Sequence, residues 1–298
     1  MPRRGSPPAP LKITPLVLQS RVAEDYEPNL QLLADQGVKL SLAVGFPMEN
    51  AVETAAKRNP GLHYLLVDSP LLSAEGAPFT LPNVRTVTFR EEEGCFLMGA
   101  LAGRVTKTGT VGMVGGMEIP LVKRFEAGFR AGVAATNPKA TVVVNYTGSF
   151  DNVSMGKQVG QDLLAKGVDV VFAAAGVDGL GAIQAVKEAR EQGKNVYVIG
   201  VDSDPSHLAP QAVLSAVTKR VDLIVYDAVK DELAGTFQGG SQNLGLKEGG
   251  IAYAPVRLDF PGKAEALREL ESFQARIIAG ELRVPTHPDQ LTAPKPAP

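Results

Sequence analysis

Two kinds of apolar pattern alternate along this chain. Short runs rich in Val, Ile, Leu and Phe, bounded by Gly, Pro, Asn or Asp, lie at 38–44, 62–67, 84–89, 111–114, 141–146, 168–173, 196–200 and 213–217. Between them the apolar residues recur every three or four positions, first over Asp25–Gln36, where Leu30, Leu32 and Leu33 lead and Gly37 stops the run. The alternation reads as strands and helices. Further helices are expected from Glu49 or Asn50 to Arg58, over Glu91–Val105, from Pro120 to about 135, up to Lys166, up to Gln192, over Val221–Leu233 and over Ala264–Ala279. Leu11–Gln19 reads as one more strand, with Pro15 arguing for an edge position. Ser69–Pro82 reads as a loop, and 244–256 as loop and strand.

Strands that alternate with helices form parallel sheets with right-handed crossovers. The series is too long for one simple sheet, so two α/β lobes are expected, with a boundary near Lys107-Thr108-Gly109. The first lobe would comprise 11–107 and 219–241, with the helix at 221–233 returning to it. The second would comprise 108–218 and 242–285. Residues 1–10 and 286–298 read as a disordered lead and tail. Two lobes joined by several strands make a hinged cleft.

One unit organises the rest. Val111–Phe129 reads strand, Gly115-Gly116 turn, then a helix opened by Pro120, where the missing N–H costs little. Leu121, Val122, Phe125, Phe129 and Val133 fall at helical spacing, and Gly128 and Gly132 would let this helix lie close to the sheet. Ligands in open α/β sheets sit beyond the carboxyl ends of the strands, so Gly115–Ile119 should look into a crevice. A plain strand–helix turn with no ligand is the competing reading.

Composition narrows the function. The formal net charge of −2 over 298 residues offers no basic field for nucleic acid or anionic lipid. The single cysteine, Cys95, excludes an internal disulfide, and His63, His207 and His287 form no metal-binding pattern, so neither metal nor cofactor is expected. GxSxG, HExxH and GxxxxGK[ST] do not occur, and Gly176–Gly181 reads GVDGLG rather than GxGxxG. With no placed nucleophile and base, an enzyme is the weaker class. The start, MPRRGSPPAP, has charge but no apolar core after it, and no lipid-attachment cysteine or long apolar run follows.

What remains is a set of small and polar residues at strand ends: Gly45-Phe46, Gly115-Gly116-Met117-Glu118, Gly148-Ser149, Gly176-Val177-Asp178 and Asp202-Ser203-Asp204. Backbone donors, the carboxylates of Glu118, Asp178 and Asp202, and the side chains of Phe46 and Met117 suit a neutral polar ligand with a flat ring. Carboxylates accept paired hydroxyl hydrogens, as on a ribose, while aromatic or methionine side chains cover a ring face. Each has a plainer alternative. Asp202 and Asp204 could shape the turn before Pro205, Phe46 could be core, Lys247 could be a solvated lysine, and Glu91–Glu93 is most simply a solvated, dipole-complementing helix start.

The string FREEEGCFLMGALAGRVTKTGTVGMVGGMEIPLVKRFEAGFRAGV (Phe89–Val133) resembles the basic membrane protein family of ABC-transporter substrate-binding proteins, the group with purine nucleoside receptors. AAAGVDGLGAIQAVKEA, VIGVDSDPSHLAP, VLSAVTKRVDLIVYDAVKDELAGTFQGG and GLKEGGIAYAP continue the resemblance in order across 20–285. It implies a type I periplasmic-binding-protein-like fold: two doubly wound α/β lobes, a multi-strand hinge and ligand in the cleft. It implies a monomeric receptor that binds a nucleoside, a purine by the resemblance, and delivers it to an ABC permease from the extracytoplasmic face of the cell membrane. In such receptors an aspartate in the GVDSD string and a lysine in GLKEGG hold ribose; here these are Asp202 and Lys247. Glu118 and Gly176 fall on loops matching the family's cleft loops, and Phe46 is the candidate for the base. Two departures stand out. The DxSFN-like string of the family's first strand and helix is missing, so the chain reads as starting one βα unit late. The secretion signal and lipid-attachment cysteine are missing too. The alternative is a cytosolic ligand-sensing regulator of the same fold.

Overall fold

The computed structural model describes residues 11–291, and these divide into two compact units. The chain passes between them three times, at 88/89, 220/221 and 243/244.

The first unit comprises residues up to Thr88 together with Val221–Asn243. Its four-stranded sheet has the order β1 (Leu40–Val44), β2 (His63–Val67), β5 (Val84–Phe89), β11 (Gly240–Leu244). β1, β2 and β5 are parallel. The connections are α1 (Tyr26–Asp35), α2 (Glu49–Arg58) and a two-stranded hairpin, β3 (Leu71–Leu72) with β4 (Pro78–Phe79), inside the expected loop. The sequence periodicity is realised as packing: Leu30, Val52, Ala55, Tyr64, Leu66 and Val84 form one buried cluster. α7 (Val221–Leu233) joins this unit and docks through polar contacts. Glu232 meets His63 at 2.5 Å, and Asp231 meets Arg85 at 2.9 Å.

Leu11–Ser20 is not a strand. It has no regular structure, and Ile13, Leu16 and Val17 are exposed. Pro15 removes a ladder donor, and β1 stands at the sheet edge with Leu42 and Val44 exposed.

The second unit comprises Phe89–Arg220 and the residues from Leu244 onward. Its six-stranded sheet has the order β12 (Ile251–Tyr253), β10 (Val213–Lys219), β9 (Tyr197–Gly200), β8 (Val170–Ala174), β6 (Thr110–Gly115), β7 (Thr141–Tyr146). All pairs are parallel except β10 with β12. The helices are α3 (Glu91–Val105), α4 (Pro120–Thr136), α5 (Val153–Ala165), α6 (Val177–Glu191) and α8 (Lys263–Ile278). α5 and α6 cover one buried cluster with Leu163, Val171, Val186 and Val198. On α4, Phe129 stacks on Phe172 of β8 with centroids 4.8 Å apart.

The boundary near 107–109 is corrected to 88/89, because α3 belongs to the second unit. The reason is glycine. A Cβ on Gly99 would lie 2.1 Å from the Phe129 carbonyl, and one on Gly132 would lie 2.0 Å from that of Phe96. α3 and α4 therefore cross backbone to backbone, and Gly128 and Gly132 serve this helix contact rather than close approach to the sheet. The later crossings fall at 220/221 and 243/244, where the sequence pattern places them at 218/219 and 241/242.

The expected disorder at 1–10 and 292–298 lies outside the described residues. Thr286–Leu291 is ordered, however. Pro288–Gln290 forms a 3₁₀ turn, and the Gln290 side chain accepts from the Thr286 N–H at 2.8 Å.

Candidate functional site

Parallel pairing brings the ends of β6, β7, β8, β9 and β10 to one edge of the second unit's sheet. Glu118 and Met117 follow β6, Gly176 and Asp178 follow β8, and Asp202 follows β9. Lys247 reaches the same edge by the antiparallel route. Lys219 pairs with Ile251, and the Arg220 N–H donates to the Gly250 carbonyl at 2.9 Å, so the turn bearing Lys247 stands where β10 ends. Six of the seven candidates thus share one sheet edge. Phe46 belongs to the first unit, on the 3₁₀ turn Phe46–Met48 after β1, with 40% of its surface exposed.

Asp202 has the most specific geometry. Its φ of 65° is in the left-handed region that most L-residues avoid, though Asp is among those that tolerate it. Its carbonyl accepts the Lys219 N–H at 3.1 Å, and its side chain remains 53% exposed. Oδ1 lies 3.6 Å from Lys219 Nζ. The neighbouring Asp204 is occupied locally, accepting from the Ser206 N–H at 3.0 Å and pairing with Arg257 at 2.6 Å. Those partners outweigh its burial and hold its carboxyl below the usual range. Asp204 shapes the turn, and Asp202 presents its carboxylate.

The other candidates separate by environment. Lys247 is exposed on its turn, beside Glu248, which is committed to Arg90 and to the Gly245 N–H. Glu118 is exposed and pairs with Lys123 at 2.6 Å. Met117 is half-buried. Asp178 is fully buried: it accepts from Ser149 Oγ at 2.8 Å and from the Asn152 N–H at 2.5 Å. It fastens the β7–α5 loop to the first turn of α6. Gly176 is the N-cap of α6 with φ 55°, which suits glycine.

The two glycines of the turn abut aromatic rings. A Cβ on Gly116 would fall 2.2 Å from the Phe150 ring, and one on Gly115 would fall 2.8 Å from the Tyr146 ring. The Gly116 N–H is spent on the Ala174 carbonyl at 3.2 Å. These glycines make room for aromatic side chains of their own unit.

The expected solvated start of α3 is corrected as well. Glu91 is fully buried, Glu92 nearly so. Glu91 Oε2 accepts from Arg124 Nε at 3.0 Å, while its Oε1 lies 3.5 Å from Lys219 Nζ without hydrogen-bond geometry. Glu92 Oε2 has only Arg124 at 4.0 Å and no hydrogen bond. Burial, with Glu91 beside it, raises the Glu92 carboxyl to about 7. A second cluster lies on α4: Tyr146 donates to Glu126 at 2.5 Å, and Arg130 does so at 2.8 Å. Burial and Glu126 push the Tyr146 hydroxyl up to about 12.

Three residues of note escaped the sequence reading: Glu91, Lys219 and Asp68. Asp68 (φ 66°) and Asp202 are the two non-glycine residues with positive φ among the described residues, and Asp68 follows β2 as Asp202 follows β9. A signal existed, since Val-Asp-Ser ends both strands at 67–69 and 201–203. Among the described residues no group of three or more His, Cys, Asp or Glu is placed to hold a metal, and no helix is long and apolar enough to cross a membrane.

Comparison with known proteins agrees with this architecture. Residues 11–287 match the family described as ABC transporter substrate-binding protein, PnrA-like. Basic membrane protein A2 of Borrelia garinii subsp. bavariensis is 34% identical over 272 residues, covering 91% of this chain and 78% of that protein. The ABC transporter nucleoside-binding protein BmpA of Lactococcus lactis is 31% identical, covering 90% and 77% respectively. Among solved structures, an ABC-transporter solute-binding protein of Aeropyrum pernix superposes with a TM-score of 0.79 at 29% identity, covering 91% of this chain and 84% of that one. The fold is α/β of the type I periplasmic-binding-protein kind.

Proposed function

The chain belongs to the family of PnrA-like ABC transporter substrate-binding proteins, a family of binding proteins rather than enzymes, and from that premise we propose that it binds a nucleoside through its ribose and delivers it to an ABC permease. The observation that carries the reading is Asp202: a half-exposed carboxylate, fixed in a left-handed turn at the carboxyl end of a parallel strand. Such a group accepts two hydroxyl hydrogens at once. Lys247, on the turn beside the end of β10, supplies a donor to a ribose oxygen. By the resemblance, Phe46 is the candidate for the face of the base, and a purine is the favoured base. The Lactococcus relative's name supports the ligand class. Glu118, Met117 and Gly176 border the same sheet edge, whereas Asp178 supports from within.

The protein works in this reading as a monomer at the extracytoplasmic face of the cell membrane, with no nucleic-acid partner. The match to transporter binding proteins favours transport over a cytosolic regulator. Calorimetry with guanosine, inosine, adenosine, uridine and xylose tests it. Saturable heat with at least one nucleoside, and none with xylose, is the expected result. Absence of heat with all four nucleosides overturns it.

A further inference from the structure

Lys219 is an unusual lysine. It ends β10, and its side chain is only 5% exposed. A buried ammonium needs compensation, because it loses its hydration on leaving water. The compensation comes from several sides. Nζ lies 3.5 Å from Oε1 of Glu91, a fully buried carboxylate, and 3.6 Å from Oδ1 of the half-exposed Asp202. It also lies 5.4 Å from the ring centres of Phe89 and Phe125, within range of their π faces. The same residue grips Asp202 through the main chain, its N–H donating to the Asp202 carbonyl at 3.1 Å.

One residue therefore holds both the backbone and the carboxylate of the strained turn. Glu91 fixes the ammonium from behind, and Arg124 in turn holds Glu91 at 3.0 Å. The chain of charges runs Arg124, Glu91, Lys219, Asp202: its two middle members are buried, Arg124 is partly exposed and Asp202 is half-exposed. Its outer end is the group read above as the ribose acceptor. With Oδ1 turned toward Lys219, the exposed part of the carboxylate is presented in one orientation.

We infer that Lys219 is a positioning residue for nucleoside binding: by bridging Glu91 and Asp202 it aims the Asp202 carboxylate at the ribose hydroxyls. Lys219 itself touches no ligand in this scheme. The inference rests on the nucleoside reading, so the two are tested in sequence by calorimetry on the full chain. The wild type is titrated first with guanosine, inosine, adenosine and uridine. The tightest of these is then compared with its 2′,3′-dideoxy counterpart in the wild type, Asp202→Asn, Lys219→Met and the double variant Glu91→Gln/Lys219→Met. The double variant removes the buried charge and its partner together, which guards against misfolding from an unpaired Glu91.

Lys219→Met and the double variant are each expected to bind the ribonucleoside on the order of tenfold more weakly, the size of one lost charged hydrogen bond. Both are expected to bind the dideoxynucleoside as the wild type does. A general structural lesion would weaken both ligands equally, so the ratio of the two affinities is the readout. Equal weakening of both ligands, or unchanged ribonucleoside affinity, in a double variant that folds overturns the inference while leaving the nucleoside reading standing. Failure of the wild type to bind any nucleoside removes both.

Discussion

Glu92 offers a test in which one buried proton controls stability. Its side chain lies at the start of α3, nearly out of water, with Arg124 4.0 Å away and no hydrogen bond to Oε2. Burial raises its carboxyl from the ordinary 4.5 to about 7, with Glu91 adding to the rise. The folded protein therefore holds a proton between pH 4.5 and 7 that the unfolded chain has released. Under linkage, stability is full below pH 4.5, falls as pH rises to 7, and stays low above it. A rise of about 2.5 units at about 1.36 kcal/mol each gives roughly 3 kcal/mol. Glu92→Gln mimics the protonated acid and should match the wild type near pH 4.5, then exceed it by about that amount at pH 8. Urea unfolding at several pH values reads this through far-ultraviolet circular dichroism, since the chain contains no tryptophan. At a slope of about 3 kcal/mol per molar, the variant's midpoint should stand about 1 M higher at pH 8. Carboxyls held low, such as those of Glu126 and Glu248, act below this window. Every other titration common to both proteins cancels in the difference. A variant with the wild-type pH slope, or one less stable at pH 8, refutes the assignment of a buried neutral acid.

Three further outcomes are expected. Gly132→Ala places a Cβ about on top of the Phe96 carbonyl, so α3 and α4 must separate; a loss of about 3 kcal/mol and a fall of several degrees in the calorimetric Tm should follow. Asp178→Asn leaves a donor where the Ser149 hydroxyl and Asn152 N–H both donate, and should cost about 1–3 kcal/mol by urea denaturation. Lys247→Met should leave Tm unchanged, since the side chain is exposed, while weakening ribonucleoside binding about tenfold by calorimetry.

The fold was legible wherever periodicity met a consistent neighbour. Glu91–Val105, Thr141–Tyr146 and Val221–Leu233 have the same ends in sequence pattern and structure. The pattern was misleading where packing depends on what is absent from a side chain. Gly99, Gly128 and Gly132 mark a helix–helix crossing, yet glycine alone does not name the partner, so α3 was assigned to the wrong unit. Leu11–Gln19 has a strand's composition, but Pro15 interrupts it and it pairs with no strand. Within the candidate site, the GVDSD string pointed to a strand-end carboxylate, and the structure separates its two aspartates by their partners. The acidic triplet at 91–93 could not be read, because sequence shows charge and not depth.

The buried charges at the start of α3 tie the crossing segments of the second unit together. The chain leaves or re-enters the second unit at 88/89, 220/221 and 243/244, and each of these points carries an ion-pair residue within a few positions. Arg90 donates its backbone N–H to the Leu244 carbonyl at 3.0 Å and pairs with both Glu93 and Glu248. Glu93 also accepts the Leu246 N–H at 2.7 Å, which binds the first crossing to the third. Glu91 with Lys219 binds the first to the second. An apolar cluster could hold these three segments together, but it would set no register, because apolar contact is non-directional. Ion pairs and hydrogen-bonded carboxylates between specific atoms do set register, at the cost of desolvation. The turns bearing Asp202 and Lys247 hang from these same segments, through Lys219 and through Gly245–Gly250. The charged ties therefore fix the spacing of the two groups proposed to hold ribose, and apolar replacements there should cost binding before they cost stability.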